Sequence, residues 1–243
     1  MDAGVQELKT ALARLKTYRQ AVLHHYLNNP DWERVKIGDV CLNLDGKRVP
    51  LNKQVRSNRK GEYRYYGATE IVDHVNDYLF DGTYILIGED GANLLSRSKP
   101  LSFIVEGKFW VNNHAHILQT KVSLDIKFFN QYFNSLDLRD YVTGSAQPKL
   151  TQANLNKILI PLPDLLTQTQ IVAEIEERLS EADAMESTIR NELKRAENLR
   201  QIILKQAFAG KLVGGDAVIQ PDLNTQNQMS TPVNQETGQL NLF

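Results

Sequence analysis

The sequence predicts an α+β protein: one mixed α/β domain framed by two long antiparallel coiled-coil helices. Three observations predict it. Residues 2–29 and 171–209 carry apolar heptad seams, with no proline and, past Gly4, no glycine. Between them lie short apolar runs broken by glycine, the texture of a loop-rich sheet domain. After them, residues 214–243 are rich in Gln, Asn and Thr. Such a segment has too little apolar content to offset the entropy of ordering and is expected to be disordered.

In the first helix Val5, Leu8, Leu12, Leu15, Val22 and Tyr26 recur on alternating three- and four-residue steps, with Arg19 in one seam position. Asn28-Asn29-Pro30 is a normal stop. In the middle, Tyr84-Ile85-Leu86-Ile87 and Phe109-Trp110-Val111 read as strands, and Ile126–Tyr132 as a short helix with an aromatic face. In the last helix the stripe is Ile175, Leu179, Ala182, Ile189, Leu193, Ala196, Leu199 and Ile203, with Gly210 as C-terminal cap. Ideal helices of these lengths span about 40 and about 60 Å. Neither buries its stripe alone, so Leu8, Leu12, Leu15, Val22, Ile175, Leu179, Ile189, Leu193, Leu199 and Ile203 are candidate subunit-interface residues. The expected boundaries are 1–29, 30–168, 169–213 and 214–243.

The two helices also resemble each other. At a constant offset of 181, Asp2, Ala3, Leu12, Arg14, Arg19, Gln20 and Leu23 fall on Asp183, Ala184, Leu193, Arg195, Arg200, Gln201 and Leu204. The ungapped Arg-Gln-x-x-Leu match favours a true repeat over shared composition.

Composition excludes several classes. With 42% hydrophobic and 23% charged residues the chain is an ordinary globular one. No run reaches the roughly 18 apolar residues of a membrane span. The polar MDAGVQELK start lacks the core of a secretory signal. One cysteine, Cys41, excludes intrachain disulfides and thiolate zinc clusters and fits a cytoplasmic location.

Net charge is −1, yet its distribution is uneven. Residues 46–64 hold seven Lys/Arg and one acid, whereas residues 65–96 hold six acids and no Lys or Arg. The basic run reads either as a solvated loop or as a loop that tracks phosphates. Composition does not choose between them.

No catalytic constellation stands out. There is no Asn-Pro-Pro-aromatic tetrapeptide of an adenine methyltransferase, no Gly-x-Gly-x-x-Gly and no Walker loop. Pro163-Asp164 and Glu106-Gly107-Lys108 occur in the wrong order for a metal-dependent nuclease. His114-x-His116 places two imidazoles on one strand face, but hydrogen-bonded structural histidines are the better reading. Glu89-Asp90-Gly91 reads as an Asx-type turn rather than a metal site. Catalytic, cofactor and metal residues are therefore expected to be absent.

Several ordered motifs carry a resemblance. They are Gly46-Lys47-Arg48-Val49-Pro50, Tyr65-Tyr66-Gly67-Ala68, Glu89-Asp90-Gly91, Trp110 through His116, and Thr143 through Thr151. Together they resemble the target-recognition domain of the DNA specificity subunit of type I restriction-modification enzymes. Ile160-Pro161-Leu162-Pro163, Gln170-Ile171-Val172 and Lys205 through Val213 resemble that family's domain-to-helix junction and repeated helical region. The similarity runs from about residue 2 to 213. One departure is large: the usual subunit has two recognition domains, and this sequence has one. It looks like a C-terminal half, or like a half-length subunit working as a pair.

The resemblance implies a non-catalytic subunit that reads one half of a split duplex DNA sequence. Its helices would space the two halves and dock methyltransferase subunits, with motor-nuclease subunits joining, in defence against foreign DNA. S-adenosylmethionine, ATP and magnesium would sit on those partners and no cofactor on this chain. A homodimer or a complementary half-subunit would complete the reader. The DNA candidates are Lys47, Arg48, Lys53, Arg56, Arg59, Lys60, Tyr65 and Tyr66, then Ser145, Gln147 and Lys149 in a second loop. Trp110 reads as core. The rival readings are a coiled-coil interaction module without DNA function and a stand-alone nuclease.

Overall fold

The computed structural model describes residues 2–144 and 146–210. The chain opens with α1 (Asp2–Leu27), then β1 (Arg34–Lys36), α2 (Ile37–Val40) and β2 (Cys41–Asn43). Next come α3 (Lys53–Ser57), β3 (Tyr63–Tyr66), β4 (Ile71–Val75), β5 (Phe80–Gly88) and α4 (Asn93–Ser96). After these follow β6 (Ser102–Val111), β7 (Ala115–Thr120), α5 (Ile126–Ser135), β8 (Val142–Thr143) and β9 (Lys149–Leu150). A short α6 (Gln152–Lys157) and β10 (Leu159–Pro161) lead into α7 (Leu165–Phe208).

The strands β2, β7, β5, β6, β3 and β4 form one six-stranded sheet in that order. Within it β3 runs parallel to β6, and the other pairings are antiparallel. Both faces are covered, as the alternation along β5 records: Ile85 and Ile87 join one apolar cluster and Leu86 the other. The first cluster gathers Phe128, Phe129, Tyr132 and Phe133 of α5, Val22 and Leu27 of α1, and Ile171, Val172 and Ile175 of α7. The aromatic face expected at Ile126–Tyr132 is this buried face of α5. Its first turn is capped by Asp125, which accepts the Phe128 N–H at 2.8 Å.

The long helices run antiparallel and pack on each other inside residues 1–194. Tyr26 Oη donates to Glu174 at 3.1 Å, while Arg19, seven residues earlier in α1, reaches Asp183 and Glu186 at 2.8 Å each. Ala11 and Leu15 of α1 line one groove with Ala182, Met185 and Ile189 of α7. This corrects the interface expectation. Val22 is 7% exposed and Ile175 is fully buried in the chain's own core, so neither is available to a second subunit. Leu8, Leu12, Leu15, Leu179, Ile189 and Leu193 are half-buried. An antiparallel neighbour within the chain supplies part of the apolar cover that the heptad pattern demands.

Two further differences concern α7. It begins at Leu165, ahead of the residue 169 boundary, because Asp164 caps it: the carboxylate accepts the Thr167 N–H at 3.0 Å and its hydroxyl at 2.6 Å. Contacts divide the chain into two compact units, residues 1–194 and 195–243, with the boundary inside α7. In the second unit Leu199, Ile202, Leu204 and Phe208 are exposed and Ile203 is half-buried. Gly210 has a φ of 68°, the left-handed conformation that closes a helix. The expected tail, 214–243, lies outside the described residues.

The helical repeat extends to helix termination. At the offset of 181 the last helical residues are equivalent, Leu27 and Phe208. So are the closing bonds, Asn28 N–H to the His24 carbonyl at 3.2 Å and Ala209 N–H to the Lys205 carbonyl at 3.0 Å. Exposure differs: Leu27 is fully buried and Phe208 is 90% exposed.

Candidate nucleic-acid interface

The basic run and the acidic run meet. Arg56 Nε binds Asp73 at 3.1 Å, its guanidinium also donates to the Leu51 carbonyl, and it lies 4.9 Å from the Tyr65 ring centroid. Lys60 binds the same Asp73 carboxylate. Arg59 reaches Asp77 at 3.3 Å and stacks 4.9 Å from the Trp110 centroid. Arg48 donates to Glu89 and to the Ala115 carbonyl, both at 2.7 Å. The sequence offered solvent or phosphate as partners for these cations. The fold supplies carboxylates instead, from β4 (Asp73), the turn after it (Asp77) and the residue after β5 (Glu89).

Several expected DNA contacts are therefore corrected. Arg48 has a side chain only 13% exposed and is committed to an internal network. Arg56 and Arg59 are half-buried and paired. Tyr65 and Tyr66 are 1% and 5% exposed, which excludes them as stacking platforms. Tyr65 Oη accepts the Leu51 N–H at 3.0 Å, and Tyr66 packs on Phe103 and Phe109. Among the described residues, Lys47 and Lys53 are exposed and their ammonium groups make no ion pair. Lys60 is exposed but shares Asp73 with Arg56. Trp110 is core, as expected: it is 4% exposed and donates to the Val49 carbonyl at 2.6 Å.

In the second loop, Gln147 is exposed and Ser145 lies outside the described residues. Lys149 is 51% exposed and binds Glu89 at 3.0 Å. Glu89 thus joins the two candidate loops through Arg48 on one side and Lys149 on the other. Burial alone would raise the Glu89 carboxyl, but hydrogen bonds from Arg48 and Lys149 outweigh it and leave it below its ordinary value. The bond to Glu89 in turn raises the Lys149 ammonium.

Beneath this junction sits His116, 1% exposed. Its Nδ1 lies 2.5 Å from Asp45 Oδ2 and its Nε2 2.7 Å from the Leu150 carbonyl. The carboxyl of Asp45 would be raised by burial, but His116, the Ile117 N–H and Arg48 hold it below its ordinary value. At the rim His114, exposed, binds Asp90 at 2.9 Å. Both histidines are hydrogen-bonded, as the sequence suggested: each ring meets an acid, His116 also faces the Leu150 carbonyl, and the His114 N–H donates to Asn112 Oδ1 at 2.8 Å. Sequence reasoning missed Asp45 and the linking role of Glu89, since neither spacing nor periodicity joins positions 45, 89 and 116.

Asp45, Glu89 and His116 place one donor atom each within 4.8 Å of one another, the donor types of a cation site. The cations already there are Arg48 and Lys149, and every buried side-chain N or O among the described residues has a partner. The donor set does not fit a metal without expelling a guanidinium.

The class is set by its architecture: a mixed-sheet domain carried on an antiparallel helix pair, with polar loops joined at one ionic junction. Solved structures share the fold. A chain from a type I R-M system aligns with a TM-score of 0.68 and 16% identity, over 85% of this chain and 55% of that one. The HsdS subunit of Thermoanaerobacter tengcongensis aligns at 0.57 and 20% identity, over 85% and 54%. In sequence, a Haemophilus influenzae protein named as a type I restriction enzyme specificity subunit is 34% identical over 150 residues, 62% of this chain and 38% of its own length. The EcoDI specificity subunit of Escherichia coli is 40% identical over 76 residues, 31% of this chain and 17% of its own length. The model of the type I restriction modification DNA specificity domain matches residues 29–195. The chain belongs to that family. It spans well under two thirds of each of these relatives.

Proposed function

We propose that the chain is a sequence-specific DNA reader that supplies one half of a bipartite target to a type I restriction-modification complex. The match of the specificity-domain family over residues 29–195 carries this reading. Lys47, Lys53, Gln147 and Lys149 are the exposed polar groups offered to duplex DNA, with lysines on phosphates and Gln147 toward base edges. The subunit itself turns over nothing. Methyltransferase and motor-nuclease partners hold S-adenosylmethionine, ATP and magnesium, and the assembly works in the cytoplasm, where its DNA lies. No helix among the described residues is long and apolar enough to cross a membrane.

One recognition domain reads one half-site, so a second domain completes the target. Another copy of this chain is the simplest source, giving two inverted half-sites; a complementary half-subunit gives unequal ones. The repeat supports this pairing: Leu27 ends its helix in the core of a recognition domain, and its equivalent Phe208 ends exposed. The rival reading, a coiled-coil module without DNA function, is favoured by the inward pairing of Arg48, Arg56 and Arg59. A mobility shift of the full chain with duplex DNA across a salt series separates the two. Binding that weakens steeply with salt is expected, and no binding at low salt sinks the proposal.

A further inference from the structure

The segment Gln147–Leu150 presents two of the four groups assigned to DNA, and it is held by backbone contacts on two sides. Its strand β9 forms a ladder with the two-residue β8, and an isolated hairpin of that length is not stable alone. The rest comes from the turn that follows β5. Leu150 N–H donates to the Glu89 carbonyl at 2.8 Å, Gly91 N–H donates to the Pro148 carbonyl at 3.0 Å, and Asp90 bridges to Lys149.

His116 enters this junction from β7 with both ring nitrogens engaged. Nε2 faces the Leu150 carbonyl, which only accepts. Nδ1 faces Asp45 Oδ2, whose other oxygen already accepts the Ile117 N–H at 2.9 Å. A neutral imidazole has one N–H and would turn a lone pair onto one of these oxygens at under 3 Å. With the Asp45 carboxyl held below its ordinary value, and so ionised, a ring with protons on both nitrogens satisfies both. The surrounding charges agree. Glu89, just past the end of β5, lies 3.8 Å from Nδ1, so two carboxylates face the ring, balanced by Arg48 and by Lys149 of β9. The His114–Asp90 pair completes the rim.

We infer that His116 is a doubly protonated positioning residue, an imidazolium clip that ties Asp45, at the base of the first loop, to the Leu150 carbonyl and so fixes Gln147 and Lys149 for base and phosphate contact. This inference rests on the DNA-recognition reading. His116 touches no DNA; it acts through the segment it holds. The clip also couples the two loops, because Asp45 and Glu89 share Arg48, so loss of the ring charge disturbs both.

Two measurements on the full chain test it. The first is nitrogen-15 NMR of histidine-labelled protein at pH 7. Both His116 ring nitrogens are expected to be protonated, and in Asp45→Asn one proton is expected to be lost. A neutral His116 ring in the wild type overturns the clip. The second is selection from a randomised duplex pool followed by sequencing. His116→Gln is expected to retain the salt dependence of binding but to lose discrimination by about tenfold or more at the bases this segment reads. Asp45→Asn, nearly isosteric, is expected to give the same loss and serves if His116→Gln fails to fold. An unchanged selected motif in either folded variant overturns the positioning role. If the wild type neither binds with salt dependence nor enriches a motif, the DNA reading falls and the positioning role with it, while the NMR result still reports the ring. The two failures are therefore distinguishable.

Discussion

Arg48 and Lys47 are adjacent, and the fold gives them opposite work. The Arg48 guanidinium lies among Glu89, Asp45 and the Ala115 carbonyl, whereas Lys47 is exposed and unpaired among the described residues. Removing one partner of a buried pair leaves the other charge without compensation. Arg48→Ala is therefore expected to lower folding stability by about 3 kcal/mol in denaturant titration. Lys47→Ala or Lys53→Ala is expected to leave stability unchanged and to flatten the salt dependence of DNA binding by roughly one counterion each. Asp73 contributes to the acid limb. Hydrogen bonds from Lys60, the His74 N–H and Arg56 bring its carboxyl from 3.8 to about 2. A depressed carboxyl contributes stability that is fully present above its unfolded value and is lost as pH falls through the folded one. The stability gap between wild type and Asp73→Asn should hold near neutral pH and close between about pH 4 and pH 2. A gap constant over that range, measured by chemical denaturation, refutes the assignment.

At the scale of elements, the join between α7 and the sheet domain depends on Gln168. It is fully buried in the first turns of α7. Its carbonyl accepts the Asp125 N–H at 2.7 Å, and its amide donates to the Ser123 and Pro163 carbonyls at 3.0 and 2.8 Å. One side chain thus ties the start of α7 to the cap of α5 and to the turn that precedes α7. Gln168→Leu fills similar space but strands three backbone groups away from water. A loss of about 2–3 kcal/mol is expected by thermal or denaturant unfolding. A loss under half a kcal/mol would show that solvent reaches those groups. The heptad stripe was legible in sequence because its period is local. Its use was not: Val22 and Ile175 carry the same signal as Leu8 and Leu193, yet the first two are spent inside the domain core. Periodicity reports that a face needs cover and is silent on what covers it.

For the whole molecule, the helix pair is the proposed ruler between two recognition domains. Since α1 and α7 are antiparallel neighbours, lengthening one alone would slide their contacts out of register. Inserting a seam-preserving heptad in both, after Leu12 and after Ile189, keeps the stripe in phase and adds about 10 Å. At about 3.4 Å per base pair the unread spacer of the methylated motif should grow by roughly three base pairs, with both half-sites unchanged. Methylome sequencing of cells carrying the variant and its methyltransferase partner checks this. The original spacer, in an assembled complex, would show that the helices do not set it. Truncation after Val213 belongs to the same scale: stability and assembly are expected to be unaffected, as read by thermal melts and size-exclusion mass.

By itself the sequence determined what is periodic or contiguous. The two helices, their repeat, the Gly-broken strands at 84–87 and 109–111, the aromatic face of α5 and the family motifs all lie within short windows, where local sterics and hydrophobic spacing leave a readable trace. Only the tertiary structure decided where the charges go. The basic run of 46–64 and the acidic run of 65–96 look independent along the chain, yet the sheet returns Asp73, Asp77 and Glu89 onto Arg56, Arg59 and Arg48. Asp45, Glu89, His116 and Lys149 likewise meet from four separate segments. Ion pairing acts through space over a few ångströms and imposes no spacing on the chain. A charge count therefore marked the right region, and the fold chose which of its cations remain available to a phosphate.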